Sequence, residues 1–280
     1  MRDANIEVRP VTPTIGAEIH GVYLGQELGN QTFQEIHDAL MEHQVLFFRD
    51  QELDLDQHKA FGRRFGQLAI HPASPGPNGH PEMVMVHADG ETNRDMGRTW
   101  QARHWHTDVS CVEEPPMGSV LHMQTVPPFG GDTLFASMSA AYDALSDRMK
   151  AYLDGLTATH DGERVWRGRY SAQGIDDTGK DYPRAVHPVV RTHPVTGCKG
   201  LFVNAVFTTQ INEVPKDEGD EILAFLYKHC TQPAFQVRFQ WEPNSIAFWD
   251  NRCVQHLAVW DYFPQTRSGY RVTIEGDRPV

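Results

Sequence analysis

Long apolar runs are missing from this chain. Nowhere do about 18 apolar residues follow one another, so no membrane-spanning helix is expected and no membrane partner. Paired cysteines are missing as well: those at 111, 198, 230 and 253 form no C-x-x-C pair. That spacing excludes a zinc ribbon and a disulfide-stapled secreted scaffold, and fits reduced thiols. Positive charge is scarce, with 25 Lys and Arg against 37 Asp and Glu and a net charge of −12. Such a surface repels phosphate backbones, so nucleic acid is not an expected partner. Local clusters such as Arg164, Arg167 and Arg169 can still hold a small anion, because net charge describes only the far field. Met1 to Pro10 carries Arg2, Asp3, Glu7 and Arg9 where a signal peptide needs an apolar run, so the expected location is cytoplasmic. Internal repeats and low-complexity linkers are absent too.

What is present can build a large core: 40% of the residues are apolar, 10% are aromatic, and six are Trp. Helical spacing of apolar residues runs from Thr32 to His43, where Thr32 and Glu35 have the form of a capping box, and again over Leu55–Phe65, Ser146 to Gly155, and Asp217–His229. Strand signals alternate with turns. Phe235, Val237, Phe239 and Trp241 alternate with polar residues, as do Tyr270, Val272 and Ile274; shorter candidates are Val45–Phe48, Met83–Val86, Ser119–Met123, Leu201–Asn204 and Ile246–Trp249. Strand following strand disfavours a doubly wound parallel sheet. The expectation is a mainly β single domain, residues 1–280, with peripheral helices. His71 to Pro81 and Gly162 to Pro183 read as loops, the second a possible lid with Trp166 either a pocket wall or a surface anchor.

With 15 His and 21 Asp in 280 residues, about one His-x-Asp pair is expected by chance. Two occur, His87-Ala88-Asp89 and His106-Thr107-Asp108, and in a strand both would put His and Asp on one face, within reach of one ion. Only the second leads into a further strand, so it is preferred. A facial triad that leaves iron(II) three open positions needs one more histidine from a distant strand, and His122, His160, His187, His193, His229 and His256 are the candidates.

Taken in order, His106-Thr107-Asp108, Gly130-Gly131-Asp132-Thr133, His193-Pro194, Phe202-Val203-Asn204, Trp249-Asp250-Asn251-Arg252, His256 and Arg267 resemble the taurine dioxygenase family of iron(II)- and 2-oxoglutarate-dependent oxygenases. The resemblance runs from Gly16 to Asp277. It implies a double-stranded β-helix, the cupin-like jelly roll, with His106, Asp108 and His256 as iron ligands and catalytic residues. It further implies that Arg267 and Thr133 hold the distal carboxylate of 2-oxoglutarate, a task a guanidinium fork suits. Dioxygen would be consumed, 2-oxoglutarate would become succinate and carbon dioxide, and a small organic anion (sulfonate, sulfate ester, or aryloxy or alkyl carboxylate) would be hydroxylated. Asp108, where halogenating relatives carry a small non-ligand, favours hydroxylation.

The same resemblance places His71 and Arg271 on the substrate's anionic head, and Val109 and Phe207 on its pocket wall. Ser74 and Ala102 stand where taurine's pocket would have a tyrosine and an asparagine, which puts taurine itself in doubt. A homo-oligomer, dimer or tetramer, is expected. Two other classes stay open: a zinc hydrolase, although no H-E-x-x-H supplies its base and nothing in it asks for Arg267, and a non-enzymatic cupin-like anion-binding protein.

Overall fold

The computed structural model describes residues 5–71, 76–90, 104–168 and 176–280. Its strands are β1 (Glu7–Pro10), β2 (Ala17–His20), β3 (Val45–Phe48), β4 (Met83–Ala88), β5 (Gly118–Thr125), β6 (Thr133–Ser137), β7 (Thr157–Asp161) and β8 (Arg184–Pro188). They continue with β9 (Val190–Thr192), β10 (Lys199–Leu201), β11 (Thr208–Ile211), β12 (Gln236–Phe239), β13 (Ser245–Asp250), β14 (Val254–Ala258) and β15 (Arg267–Ile274). Seven form one large sheet in the order β1-β2-β3-β13-β5-β15-β4, and β12-β6-β14 form a smaller one. Every pairing in these two sheets is antiparallel except β2 with β3. This is the β-rich jelly roll expected from the sequence, and the order explains why no regular β-α-β alternation is visible along the chain.

The two faces of the large sheet account for its apolar strands. Val45 and Phe47 point towards the small sheet, where Phe47 stacks on Phe239 with ring centroids 4.0 Å apart. Leu46 and Phe48 point the other way, under the helices Asn30–His43 and Leu55–Arg63. A strand buried on both sides reads as a continuous apolar run. In β15 the same period sends Val272 and Ile274 into the outer core, which leaves Arg267, Gly269, Arg271 and Thr273 on the inner face. On β15, alternation thus sets polar groups beside the apolar cluster of Val45, Phe47, Leu121 and Phe135 that fills the rest of the space between the sheets.

Several local expectations are corrected. The first helix begins at Asn30 after Gly29, and Thr32 caps nothing; Glu35 instead accepts from the backbone N–H of Asn5. The capping box belongs to Asp54 and Gln57, whose side chains each accept from the other's backbone N–H. The strand read at Leu201–Asn204 stops at Leu201, because the Asn204 side chain accepts from the backbone of Val206 and Phe207 and turns the chain. Within Gly162–Pro183, Glu163–Trp166 forms a helical turn and Trp166 is 1% exposed, so it is buried and not a surface anchor. Among the described residues no helix is long and apolar enough to cross a membrane.

Outside the inner face, His58 is fully buried; its Nε2 donates to the Val120 carbonyl, and burial beside His122 pushes its pKa down to about 3. The unfolded chain, with an ordinary histidine near 6.5, takes up the proton first as pH falls. His58 therefore subtracts stability progressively below pH 6.5 and stops doing so only near 3. His58→Gln keeps a donor for Val120 and removes the titration. Urea unfolding at pH 7.5, 6 and 4.5 should show the wild type losing about 1.4 kcal/mol more per pH unit than the variant below pH 6; equal slopes would exclude a buried neutral His58.

Candidate active site

His106 and His256 come together because their backbones bridge. His106 N–H donates to the His256 carbonyl at 3.2 Å and His256 N–H returns the bond at 2.9 Å, so the two rings lie 4.4 Å apart. Asp108 follows two residues on, and its Oδ1 stands 4.0 Å from His106 Nε2 and 3.9 Å from His256 Nε2. All three residues are buried. His106 Nδ1 faces the His104 carbonyl at 3.1 Å; donating there makes Nε2, the nitrogen on the Asp108 side, the acceptor of the ring. Of the six candidate histidines, the fold brings His256, the one the family resemblance implies, together with His106 and Asp108. His87 and Asp89 pair with each other at 3.3 Å on the surface, away from the other candidates.

Ser119 donates to Asp108 Oδ2 at 2.9 Å, Asn251 donates to Ser119, and Trp249 donates to Asn251. This relay holds the carboxylate so that Oδ1 is the atom facing both imidazoles. Burial works to raise the Asp108 pKa, but the charge of Arg271, the two imidazoles and Ser119 outweigh it and hold the carboxyl well below its usual range. Burial and the neighbouring His106 push His256 down to about 3. Neutral imidazoles and an ionised carboxylate are the donor forms a divalent metal requires. These three donor atoms lie within 4.8 Å of one another, so His106, Asp108 and His256 could together hold one divalent ion. Val109, directly after Asp108, has φ +51°, a conformation that β-branched residues rarely adopt outside functional sites.

Arg267 and Thr133 also meet, from β15 and β6. The guanidinium Nη2 donates to Thr133 Oγ1 at 3.4 Å, and Trp241 Nε1 donates to the same oxygen at 3.0 Å. Arg267 is 3% exposed, its Nε has no hydrogen-bond partner, and among the described residues no carboxylate lies within ion-pair distance. Burial pulls its pKa down, against the opposing pull of Tyr262 and Asp132. A dry guanidinium in this state calls for an anion from outside the protein.

Arg271, expected on the substrate, stands on Asp108: Nη1 is 2.8 Å from each carboxylate oxygen. His71 packs edge-on against Trp166 at 5.5 Å, and Trp166 against Phe207 at 5.6 Å; Val109 belongs to the same apolar cluster. The substrate candidates His71, Val109 and Phe207 thus border one wall with Trp166. Ser74 and Ala102 lie outside the described residues. Sequence reading missed Ser119, whose only signal is a small polar residue at an inward position of an apolar strand, and Asn251, which was visible as a motif letter without a role.

A second cluster, His193, Asp250 and Cys253, has similar donors but is already satisfied. His193 Nδ1 accepts from the backbone of Val195 and Thr196, so Nε2 carries the proton given to Asp250; Asp250 also takes both arms of Arg252. Burial raises the Cys253 thiol far above its ordinary pKa. That is a structural pin.

The sequence profile of the family described as taurine catabolism dioxygenase TauD, TfdA matches residues 7–273. The α-ketoglutarate-dependent sulfate ester dioxygenase of Pseudomonas putida is 35% identical over 285 residues, covering 98% of this chain and 91% of that protein. The α-ketoglutarate-dependent 2,4-dichlorophenoxyacetate dioxygenase of Cupriavidus pinatubonensis is 32% identical over 266 residues, covering 90% and 91%. A crystal structure of a taurine dioxygenase from Burkholderia xenovorans superposes with a TM-score of 0.85 at 37% identity, covering 99% of this chain and 91% of the other.

His256→Ala should abolish binding of a divalent metal and substrate turnover while far-ultraviolet circular dichroism is kept, and His87→Ala should do neither. Metal titration and turnover assays check both. Near wild-type turnover in the His256 variant would remove it from the site.

Proposed function

Because the chain belongs to the taurine catabolism dioxygenase TauD, TfdA family, we propose that His106, Asp108 and His256 hold iron(II) while Arg267 and Thr133 hold 2-oxoglutarate. The enzyme is a non-haem iron(II)- and 2-oxoglutarate-dependent dioxygenase acting on small organic anions: sulfonates, sulfate esters, or aryloxy or alkyl carboxylates. When bound, iron(II) and 2-oxoglutarate supply the oxidising chemistry, in which dioxygen and 2-oxoglutarate yield succinate, carbon dioxide and a hydroxylated substrate carbon.

The chain's own residues do the positioning. Ser119 occupies Asp108 Oδ2, which presents Oδ1 to the metal. Arg267 offers a buried fork to a planar carboxylate, with Thr133 beside it and Trp241 fixing the threonine. His71 and Arg271 receive the anionic head of the substrate, a reading supported by the buried Nε of Arg271, which lacks a hydrogen-bond partner among the described residues while Nη1 is taken by Asp108. Val109 and Phe207, with Trp166 behind them, exclude water from its body. The observation that carries the assignment is the buried guanidinium of Arg267, which a zinc hydrolase would not need.

The cytoplasm as its location and a homo-oligomer as its form belong to the same reading. All four cysteines are free, with Cys198 exposed, which supports a reducing compartment. Tyr152 and Phe225, exposed side by side on neighbouring helices, support self-association.

Arg267→Ala leaves the cosubstrate charge unpaired and should cost about 3 to 5 kcal/mol of 2-oxoglutarate affinity, two to three and a half orders of magnitude. Arg267→Lys should recover little of it, because an ammonium cannot make the paired contact. Tryptophan fluorescence or calorimetric titration of the iron-loaded protein with 2-oxoglutarate measures both. Unchanged affinity in the alanine variant would remove Arg267 from the cosubstrate site.

A further inference from the structure

The inner face of β15 continues beyond its two arginines. Thr273 lies two residues after Arg271 and shares its face. It is 6% exposed, and its hydroxyl oxygen is buried with no hydrogen-bond partner among the described residues. A dry, unsatisfied hydroxyl is uncommon in a native interior, and one that borders a cavity is a ready partner for an occupant. Thr273 does border one, of about 170 Å³, whose apolar lining comes from Ala69, Ile70, Val109, Val112 and Pro116. An apolar cavity of about 150 Å³ accommodates a benzene ring. His71 and Val109 line this cavity and also the wall assigned to the substrate, so the two spaces adjoin. None of the three metal-binding candidates lines it. Its occupant is therefore a part of the molecule other than the carbon being oxidised.

The mouth has a distinct character. Ile70 is 64% exposed there, an apolar side chain without cover. Glu114 and Glu275, both exposed, complete the lining, and Gln67 donates to Glu275 at 3.0 Å. An anionic head has no favourable place between two acidic side chains, so it belongs at the Arg271 end. A second anionic group at the far end of the body would meet like charge.

We infer that this cavity is a subsite for the apolar body of the substrate, up to about the size of a six-membered ring, and that Glu114 and Glu275 restrict the substrate to a single negative charge. The inference rests on the reading of the substrate as an organic anion held by Arg271 and His71.

The test uses the iron-loaded full chain with 2-oxoglutarate, reading succinate release and substrate loss. The probes are methyl, butyl, hexyl and benzyl sulfates and sulfonates, with an α,ω-disulfonate as the dianion. In the wild type, kcat/KM should rise roughly fourfold per buried methylene until the cavity is filled. Ile70→Trp, at an exposed position that the fold tolerates, should depress benzyl and hexyl substrates at least tenfold more than methyl ones. The double variant Glu114→Gln, Glu275→Gln should raise the disulfonate at least tenfold relative to the hexyl monosulfonate. A benzyl-to-methyl ratio that Ile70→Trp leaves alone overturns the subsite, and a dianion-to-monoanion ratio unmoved by the double variant overturns the charge filter. Succinate release stimulated by every anion regardless of tail overturns the subsite but keeps the anion reading; no stimulation by any of these anions overturns both.

Discussion

Charge has to be held in dry space between the two sheets, and much of the architecture follows from that constraint. Asp108, Arg267 and Arg271 all project into the space between the sheets, where an isolated ion would cost several kcal/mol. Arg271 and Ser119 satisfy Asp108, and Thr133 satisfies part of Arg267. The inward-facing imidazoles of His106 and His256, the Asp108 Oδ1 that faces both, and the unpartnered Nε of Arg267 are the groups proposed to receive a metal ion and a dicarboxylate. The apolar outer layer makes this affordable. Val272 and Ile274 anchor the same strand that delivers the arginines, so the guanidinium groups cannot swing out without unpacking the core.

The loops around the cavity are tied to each other by hydrogen bonds and not by packing alone. Asn204 donates to Ser110 at 2.9 Å and accepts from the backbone of Phe207, while Ser110 meets His160 Nδ1 at 3.0 Å. One asparagine therefore links the segment after Asp108 to the segment carrying the Phe207 wall. His160 is fully buried, and burial together with the nearby His187 pushes its pKa down to about 3, which keeps the ring neutral and able to accept. The pin of His193, Asp250 and Arg252 does the same for the turn between β13 and β14, the turn that aims His256. His256, on a short strand, is held in place by the hydrogen bonds of the turn before it.

Much of this was legible in the residues. Periodicity alone located β3, β5, β12, β13 and β15 to within a few positions, because alternation is a local property and burial on one or both faces writes it directly into the chain. Errors fell where a polar side chain competes for the backbone. Thr32 was read as a cap when Gly29 begins the helix, and Asn204 was read as the end of a strand when its side chain closes a turn. Trp166 could not be resolved between wall and surface, since a single helical turn in a polar segment has no periodicity to read.

The sequence by itself determined which residues alternate, where charge is scarce, and, through the order of its motifs, which His-x-Asp pair and which distant histidine belong together. It could not decide what faces each of them. Asp108 and Arg271 are 163 residues apart, and Arg267 and Thr133 are 134 apart. That Arg271 stands on Asp108, that Ser119 orients it, and that Thr273 shares a cavity lining with Glu114 and Glu275 were decided only by the way the strands are laid side by side. Periodicity acts over two to four residues. A buried charge is satisfied by whatever the register of the sheets brings across the gap.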